Sequence, residues 1–545
     1  MSLRSLSLRC SDRSLRTAVL PIAVIFLSAL LASAQTSVTT YHYDNNRTGW
    51  NQTETVLTPA NVGGSSFGVL HHIPLDDQVD GQPLVVPGVN ITAGSRQGKH
   101  DVVYVATEGN TIYAIDAESG AVLLSPNFGK PVHLPLGCTN NGPNVGINST
   151  PVIDAASNTM YVVIYTSDAN GPTYRVHALD LGSLTDKVAP RLVVASHTLR
   201  NGTAFNFNAT YQRQRPGLLL ANGNVYAGFG SFCDFSANLS RGWLLGWSTG
   251  SLDPLPANQL FDTQVTSPNS FFLSSIWMSG YGLAADDSGS ILFVTGNSDY
   301  SGTTYDGVSN LQESVVRVST DLSIVQGLFT PSNQSDLDKW DADFGSGGVL
   351  VLPDQPGTRP HLAVAAGKFG TMYLMNVDHL GGYSPTKNNV LATAPVGSCW
   401  CGQSYFVDTD GTASVVSSGG RTVKIWKLAT SPKPAFSKGP VSPPVAGGQF
   451  PGFFTSISSN GTTNPVIWAL SHPPNSSAKS PIYLYAFNPD STTGSTMAQL
   501  FKGLAGNWPN VGGNSNLVPV VANGEVFVAS YQELVIFGLK AAQKK

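Results

Sequence analysis

The sequence predicts an all-β fold: an eight-bladed β-propeller of four-stranded antiparallel blades, closed by an N-terminal strand. Three observations predict it. A hairpin pattern returns eight times, a short apolar strand precedes each copy, and the two ends of the chain carry complementary parts of the last unit. The clearest copy runs from Val102 to Leu123. Alternating apolar residues lead to a Glu-Gly-Asn turn, a second strand holds Tyr113, Ala114, Ile115 and Asp116, and a Ser119-Gly120 turn follows. Such a hairpin cannot bury its own apolar face, so the copies must stack.

The other copies begin near Thr159, Asn224, Ile291, His361, Ala413, Pro465 and Glu525. Gly-, Ser- and Asn-rich insertions between strands stretch the repeat beyond the roughly 40–50 residues of shorter propeller repeats. The preceding apolar strands start from Gly81, Asn148, Arg215, Gly280, Ser346, Gln403, Phe453 and Asn516. Asn-Gly, Asp-Gly and Ser-Gly pairs after them supply the positive φ of tight hairpins. The last copy stops at Leu539, after its third strand, while Ser65–Leu75 precedes the first inner strand and has no blade of its own. The economical reading is that this segment completes the last blade and removes its open edge. Seven blades is the alternative, should the weak sixth copy merge with a neighbour.

Composition agrees with this reading. Charged residues are 12% of the chain and Gly numbers 56, a turn-rich all-β profile. The repeat covers nearly everything from Ser65 onward, which favours one large domain. The expected layout is a signal peptide over 1–34, an N-terminal extension over 35–64, the propeller over 65–540 and a tail over 541–545.

Arg4, Arg9, Arg13 and Arg16 precede an apolar run from Ala18 to Leu31, and Ala32-Ser33-Ala34 follows. This pattern predicts a secretory signal peptide cleaved after Ala34, hence a secreted, periplasmic or cell-envelope protein with no membrane span after processing. The leader carries four Arg and one Asp, so removing it takes the net charge from −4 to about −7. That balance argues against nucleic acid as a partner. Cys138, Cys233, Cys399 and Cys401 remain after processing. An even count in an exported protein suggests two disulfides. Cys138 with Cys233 is the favoured pair. A bond between Cys399 and Cys401 would close a very small ring, so two free thiols is the competing reading. No metal site is expected, since Cys and His lack zinc-binding spacing.

Candidate binding residues cluster ahead of the inner strands. Arg213 and Arg215 suit a carboxylate or sugar acid, bound by two parallel hydrogen bonds. The competing reading is that they clamp neighbouring-blade carbonyls or Asp side chains and hold the ring together. Asp341 and Asp343 precede Gly345–Gly348 and suit calcium or acid–base work, turn capping, or service as counter-ions to the two arginines. Glu313, at a strand start, faces water or the axis. Trp277, Trp400 and Trp508 offer rings for a sugar or quinone, or wedges between blades. No nucleophile elbow, P-loop or zinc-protease motif is present.

The phrase YAIDAESGAVL resembles the repeat of PQQ-type propellers, the quinoprotein alcohol dehydrogenase-like superfamily, through Ala114, Ile115, Asp116, Ser119 and Gly120. Ala178, Leu179 and Asp180 match again. YDNNRTGWN, QRQRPGLLLANG, DFGSGGVLVLPD and CWCGQSYF are similar to a secreted bacterial branch without assigned activity. The resemblance implies a propeller whose enzymes hold PQQ and calcium on the axis, with an aspartate base, a Trp floor and a disulfide of adjacent cysteines. This chain has no adjacent cysteines, Cys399-Trp400-Cys401 being the nearest, and no Cys-x-x-Cys-His for a haem. The calcium ligands and the base find no matching position. The expectation is therefore a monomeric binding or scaffolding module without a cofactor. Its face would recognise a small polar ligand, a glycan or an envelope protein, through Arg213, Arg215, Trp277, Asp341, Asp343 and Trp400. The alternative is a divergent PQQ- and calcium-dependent oxidoreductase of alcohols or sugars. A third reading is an assembly scaffold that pairs partner strands.

Overall fold

The computed structural model describes residues 35–540 except 141, 446, 448–449, 475–479 and 510–514. The chain divides into two units, Met1–Ala34 and Gln35–Lys545. The first unit, with the signal-peptide expectation, and the tail lie outside the described residues.

Strands dominate the second unit, and their pairing follows chain order. In the first module Leu84–Ile91, Gly98–Ala106, Ile112–Asp116 and Val122–Leu124 pair antiparallel, each with the next. Val102 through Val105 are all buried, because neighbours cover both faces of this strand. Asp116 closes its turn by accepting hydrogen bonds from the Ser119 N–H (2.8 Å) and hydroxyl (2.5 Å). Asp180 does the same for Gly182 and Ser183. The repeat's aspartate is thus a turn cap.

The inner strands of the next six modules are Val152–Asp154, Leu219–Ala221, Ala284–Ala285, Val349–Val351, Ser404–Val407 and Thr455–Asn460. The last module contains Val520–Ala522, Glu525–Ala529 and Tyr531–Leu539, and its fourth strand is Phe67–Gln78 from the other end of the chain. That strand runs antiparallel to its partner, from Phe67 opposite Leu539 to Gln78 opposite Tyr531. Sorted this way, the described strands give eight four-stranded modules. The sixth and seventh are fused into one continuous sheet by a parallel bridge between Val441 and Thr496.

Each inner segment meets the next. The Gln82 N–H donates to the Thr150 hydroxyl, the Leu218 N–H to the Thr150 carbonyl, and the Leu283 N–H to the Gly217 carbonyl. The hydroxyls of Ser279, Ser346, Ser404 and Ser456 then donate to the carbonyls of Ser346, Cys399, Thr455 and Pro519. An apolar cluster joins the last module to the first through Phe527, Ile536, Val103 and Val105. The ring is closed.

The N-terminal extension threads this ring. Val38 bridges Val85, and the Ile153 N–H donates to the Thr39 carbonyl. Arg47 donates to the Leu218 and Leu283 carbonyls. The N–H groups of Val351, Tyr405 and Ile457 donate to the carbonyls of Asn46, Thr48 and Gly49, and the Asn51 amide reaches the Val521 carbonyl. The segment from Val38 to Asn51 therefore contacts the inner strand region of every module and satisfies edges that would otherwise be bare. Arg47, fully buried, is its centre. It gives hydrogen bonds to Leu283 O (2.7 Å), Thr40 Oγ1 (2.7 Å), Tyr41 O (2.8 Å), Asp44 O (3.0 Å) and Leu218 O (3.1 Å). Tyr281 completes the hub by donating to Arg47 O and Gln403 O. A Cβ at Gly348 or Gly402 would fall inside the Tyr281 ring, which explains one glycine in each of the GSGG and CWCG motifs.

Candidate ligand-binding site at the axis

A cavity of about 440 Å³ lies where the inner strands begin, a few residues upstream of the hub contacts. Arg213, Arg215, Trp277, Asp341, Asp343 and Trp400 all line it, together with Asp234, Lys368 and Phe450. Their positions follow from the repeat. Arg213–Gln214 pair with Phe229 and Gly230 at the edge of the third module. Trp277 caps a short turn, Met278–Gly280, before the fourth inner strand. Asp341 and Asp343 sit between the helix Gln334–Lys339 and the turn Phe344–Ser346. Trp400 stands between two paired cysteines.

The acidic wall has its own cation. Lys368 Nζ lies 2.6 Å from Asp343 Oδ2 and 2.9 Å from Asp341 Oδ1. The expectation that these aspartates pair with the arginines is corrected: Lys368, from the turn after Leu362–Ala366, takes that place. It also lies 5.6 Å and 5.3 Å from the ring centres of Trp277 and Trp400, within cation–π range. Burial pulls the Lys368 ammonium down, but Asp343 and then Asp341 outweigh burial and hold it above its ordinary value. Burial, then the charge of Asp343, pushes Asp234 up to about 6. Glu313 faces neither water nor an open axis. It is fully buried, accepts the Phe344 N–H through one oxygen (2.5 Å), and its other oxygen has no partner. Burial and then Asp343 raise it well above the carboxylate range.

The basic wall is different. Arg213 gives Nε to Asn148 Oδ1 (2.7 Å), and its Nη2 is buried without a partner. Arg215 makes no side-chain hydrogen bond among the described residues and lies 6.0 Å from the Trp277 ring centre. Burial first, then the adjacent Arg213, lowers it to about 9, while Asp80 and Glu108 attract it from a distance. Among the described residues neither arginine donates to a carbonyl of a neighbouring blade; Arg213 holds the Asn148 side chain of the second module, and Arg47 holds carbonyls.

Trp400 stacks on Phe450 at 4.7 Å with rings 19° apart, so part of its surface is already covered. Trp508 is fully buried in the apolar core, as a wedge. Cys138 pairs with Cys233, which lies in the cavity wall. Cys399 pairs with Cys401 across Trp400, so the free-thiol reading is corrected.

Three charged residues escaped the sequence reading: Asp234, Lys368 and Glu108, the last buried and bonded to Gly146 N (2.6 Å) and the Asn148 amide. Glu108 and Lys368 occupy the same place in their modules, the turn directly after the second strand, and Asp234 lies in the corresponding turn of the third. A charged residue in that turn was the available signal.

The alternative of PQQ with calcium can be set against this donor set. Among the described residues no group of three or more His, Cys, Asp or Glu is arranged to hold a metal ion. Asp343 gives one oxygen to Lys368 and the other to the Asn297 N–H (2.9 Å).

No family model matches the chain, and no curated protein matches it. Solved structures do. A quinohemoprotein alcohol dehydrogenase from Comamonas testosteroni matches 94% of this chain and 82% of its own, with a TM-score of 0.57 at 11% identity. The quinohemoprotein alcohol dehydrogenase ADHIIG from Pseudomonas putida HK5 covers 93% and 81%, with a TM-score of 0.53 at 12% identity. A europium-containing methanol dehydrogenase covers 92% and 98%, with a TM-score of 0.56 at 9% identity. The chain shares the β-propeller fold of these structures. At such identities the likeness is one of fold, and the work of this propeller has to be argued from its own cavity.

Proposed function

We propose that this propeller is an exported binding module that holds a small polar ligand in the axial cavity. The observation that carries the reading is the pair of buried arginines, Arg213 and Arg215, whose donors the protein leaves largely unused beside a cavity of ligand size. The hub supports it, because a ring tied to one central segment gives the loops of one face a rigid base. Two disulfides fit an oxidising compartment. The test is a ligand screen read by tryptophan fluorescence, since Trp277 and Trp400 line the cavity. A binder should change the emission of the native chain and lose that effect in Trp400→Phe or Arg215→Gln. Binding at another surface, untouched by both substitutions, would contradict the reading.

The fold shared with quinohemoprotein dehydrogenases favours a second reading, a divergent PQQ- and calcium-dependent oxidoreductase. The engagement of Asp343 by Lys368 and the Asn297 N–H, and of Asp341 by Lys368, speaks against it. Tight retention of PQQ with calcium and dye reduction by alcohols or sugars would put this reading first.

A further inference from the structure

The charge layout of the cavity narrows the chemistry of its ligand, an inference that rests on the binding-module reading. Arg47 shows how this chain treats a structural arginine: five hydrogen bonds to protein groups. Arg241 uses only Nη1, on the carbonyls of Asp262 (2.7 Å) and Gln264 (2.8 Å), and leaves its buried Nε without a partner, but the Asp262 carboxylate lies beside it as counter-ion at 3.4 Å. Arg213 and Arg215 are only 3% and 8% exposed. Arg213 nevertheless makes one such bond and Arg215 none among the described residues. A desolvated guanidinium without acceptors is costly. The missing acceptor is an anion, and a carboxylate matches the planar donor fork.

The rest of the cavity limits what that anion carries. Asp341, Asp343 and Asp234 line the same cavity as the arginines, and among the described residues Lys368 pairs with Asp341 and Asp343. These carboxylates accept hydrogen bonds from hydroxyls, and they repel a second negative charge. Trp277 lies beneath Arg215 and offers a ring face to a C–H-rich surface. Trp340 and Phe369 are exposed and directly precede and follow Asp341 and Lys368 in the chain. A compact ligand with one carboxylate, several hydroxyls and an apolar face satisfies all of these features. We infer that the cavity binds a sugar acid, a uronate or aldonate, with its carboxylate on Arg213 and Arg215 and its hydroxyls on the aspartate wall.

Isothermal titration of the purified chain with glucuronate, galacturonate and gluconate tests this, against glucose, galactose and glucose 6-phosphate. The expected result is binding of at least one sugar acid at least tenfold tighter than its neutral counterpart and than the phosphate. Arg213→Gln and Arg215→Gln should each weaken it at least tenfold with unchanged melting temperature, and Arg215→Lys should recover part of the loss. Equal binding of neutral sugars, preference for the phosphate, or full affinity in the Gln variants would overturn the inference. If no sugar acid binds while another compound shifts the cavity tryptophans, the inference falls and the binding-module reading stands. If nothing binds except PQQ with calcium, and that complex turns over, both fall.

Discussion

Two buried arginine sites lie along one axis, and they are built on opposite principles. At the hub, Arg47 is surrounded by acceptors and joins the third and fourth modules to the extension. At the cavity, Arg213 and Arg215 are nearly as buried but keep donors unused. The same residue type thus serves closure in one place and recognition in the other. Burial alone does not separate the two; the count of satisfied donors does.

The comparison can be broken most forcefully at the hub. Arg47→Met leaves four backbone carbonyls and the Thr40 hydroxyl without their donor, and should cost about 3–5 kcal/mol in urea unfolding. A loss below about 1 kcal/mol would deny the hub its role. Next in size is the wall disulfide. Cys138→Ser with Cys233→Ser opens a link between residues 95 apart. It should lower stability by about 2–4 kcal/mol, checked by the melting temperature with and without reductant.

Lys368→Met comes third. It strips the cation from Asp341 and Asp343, of which only Asp343 is deeply buried, so about 1–3 kcal/mol is expected at neutral pH. The sign with pH is fixed. Asp341 is already raised by burial and by Asp343, and without Lys368 its folded-state carboxyl titrates further above its unfolded value. The penalty is therefore full at high pH and fades as pH falls through the raised folded value. Unfolding at pH 5 and pH 8 checks this; a penalty that grows in acid would refute it.

The smallest effect concerns Asp234. It titrates near 6 in the field of Asp343, Lys368 and Asp341, and Asp341 is itself raised by burial and Asp343. Protonation removes negative charge beside an anionic ligand. Glucuronate should therefore bind about two- to fivefold tighter at pH 5 than at pH 7.5, by the usual linkage of charge to affinity. Asp234→Asn should flatten most of that slope, measured by titration at both values.

Much of this architecture was legible in the sequence. Residues such as Val102–Val105 and the Asp116 cap repeat because each module solves the same burial problem, and the strand left over at Phe67–Gln78 had to pair with the end of the chain. The cavity was legible in part: the sequence singled out six residues ahead of the inner strands, and all six line it. Who pairs with whom was not legible. Lys368 comes from a hairpin turn that reads as surface, and the pairing of Val349–Val351 with Leu362–Ala366 brings it to Asp343. The hub was equally hidden. YDNNRTGWN is polar and lacks periodicity, because its partners are strand edges in the third through eighth modules and not an apolar face.

The most direct measurement of the central claim is urea unfolding of the double variant Arg213→Gln, Arg215→Gln beside the wild type and Arg47→Met. If the cavity arginines are held vacant for a ligand, the double variant unfolds at the wild-type midpoint or above it, while Arg47→Met unfolds far below. A double variant that loses as much stability as Arg47→Met would mean that both sites are structural, and the distinction between hub and cavity would be wrong.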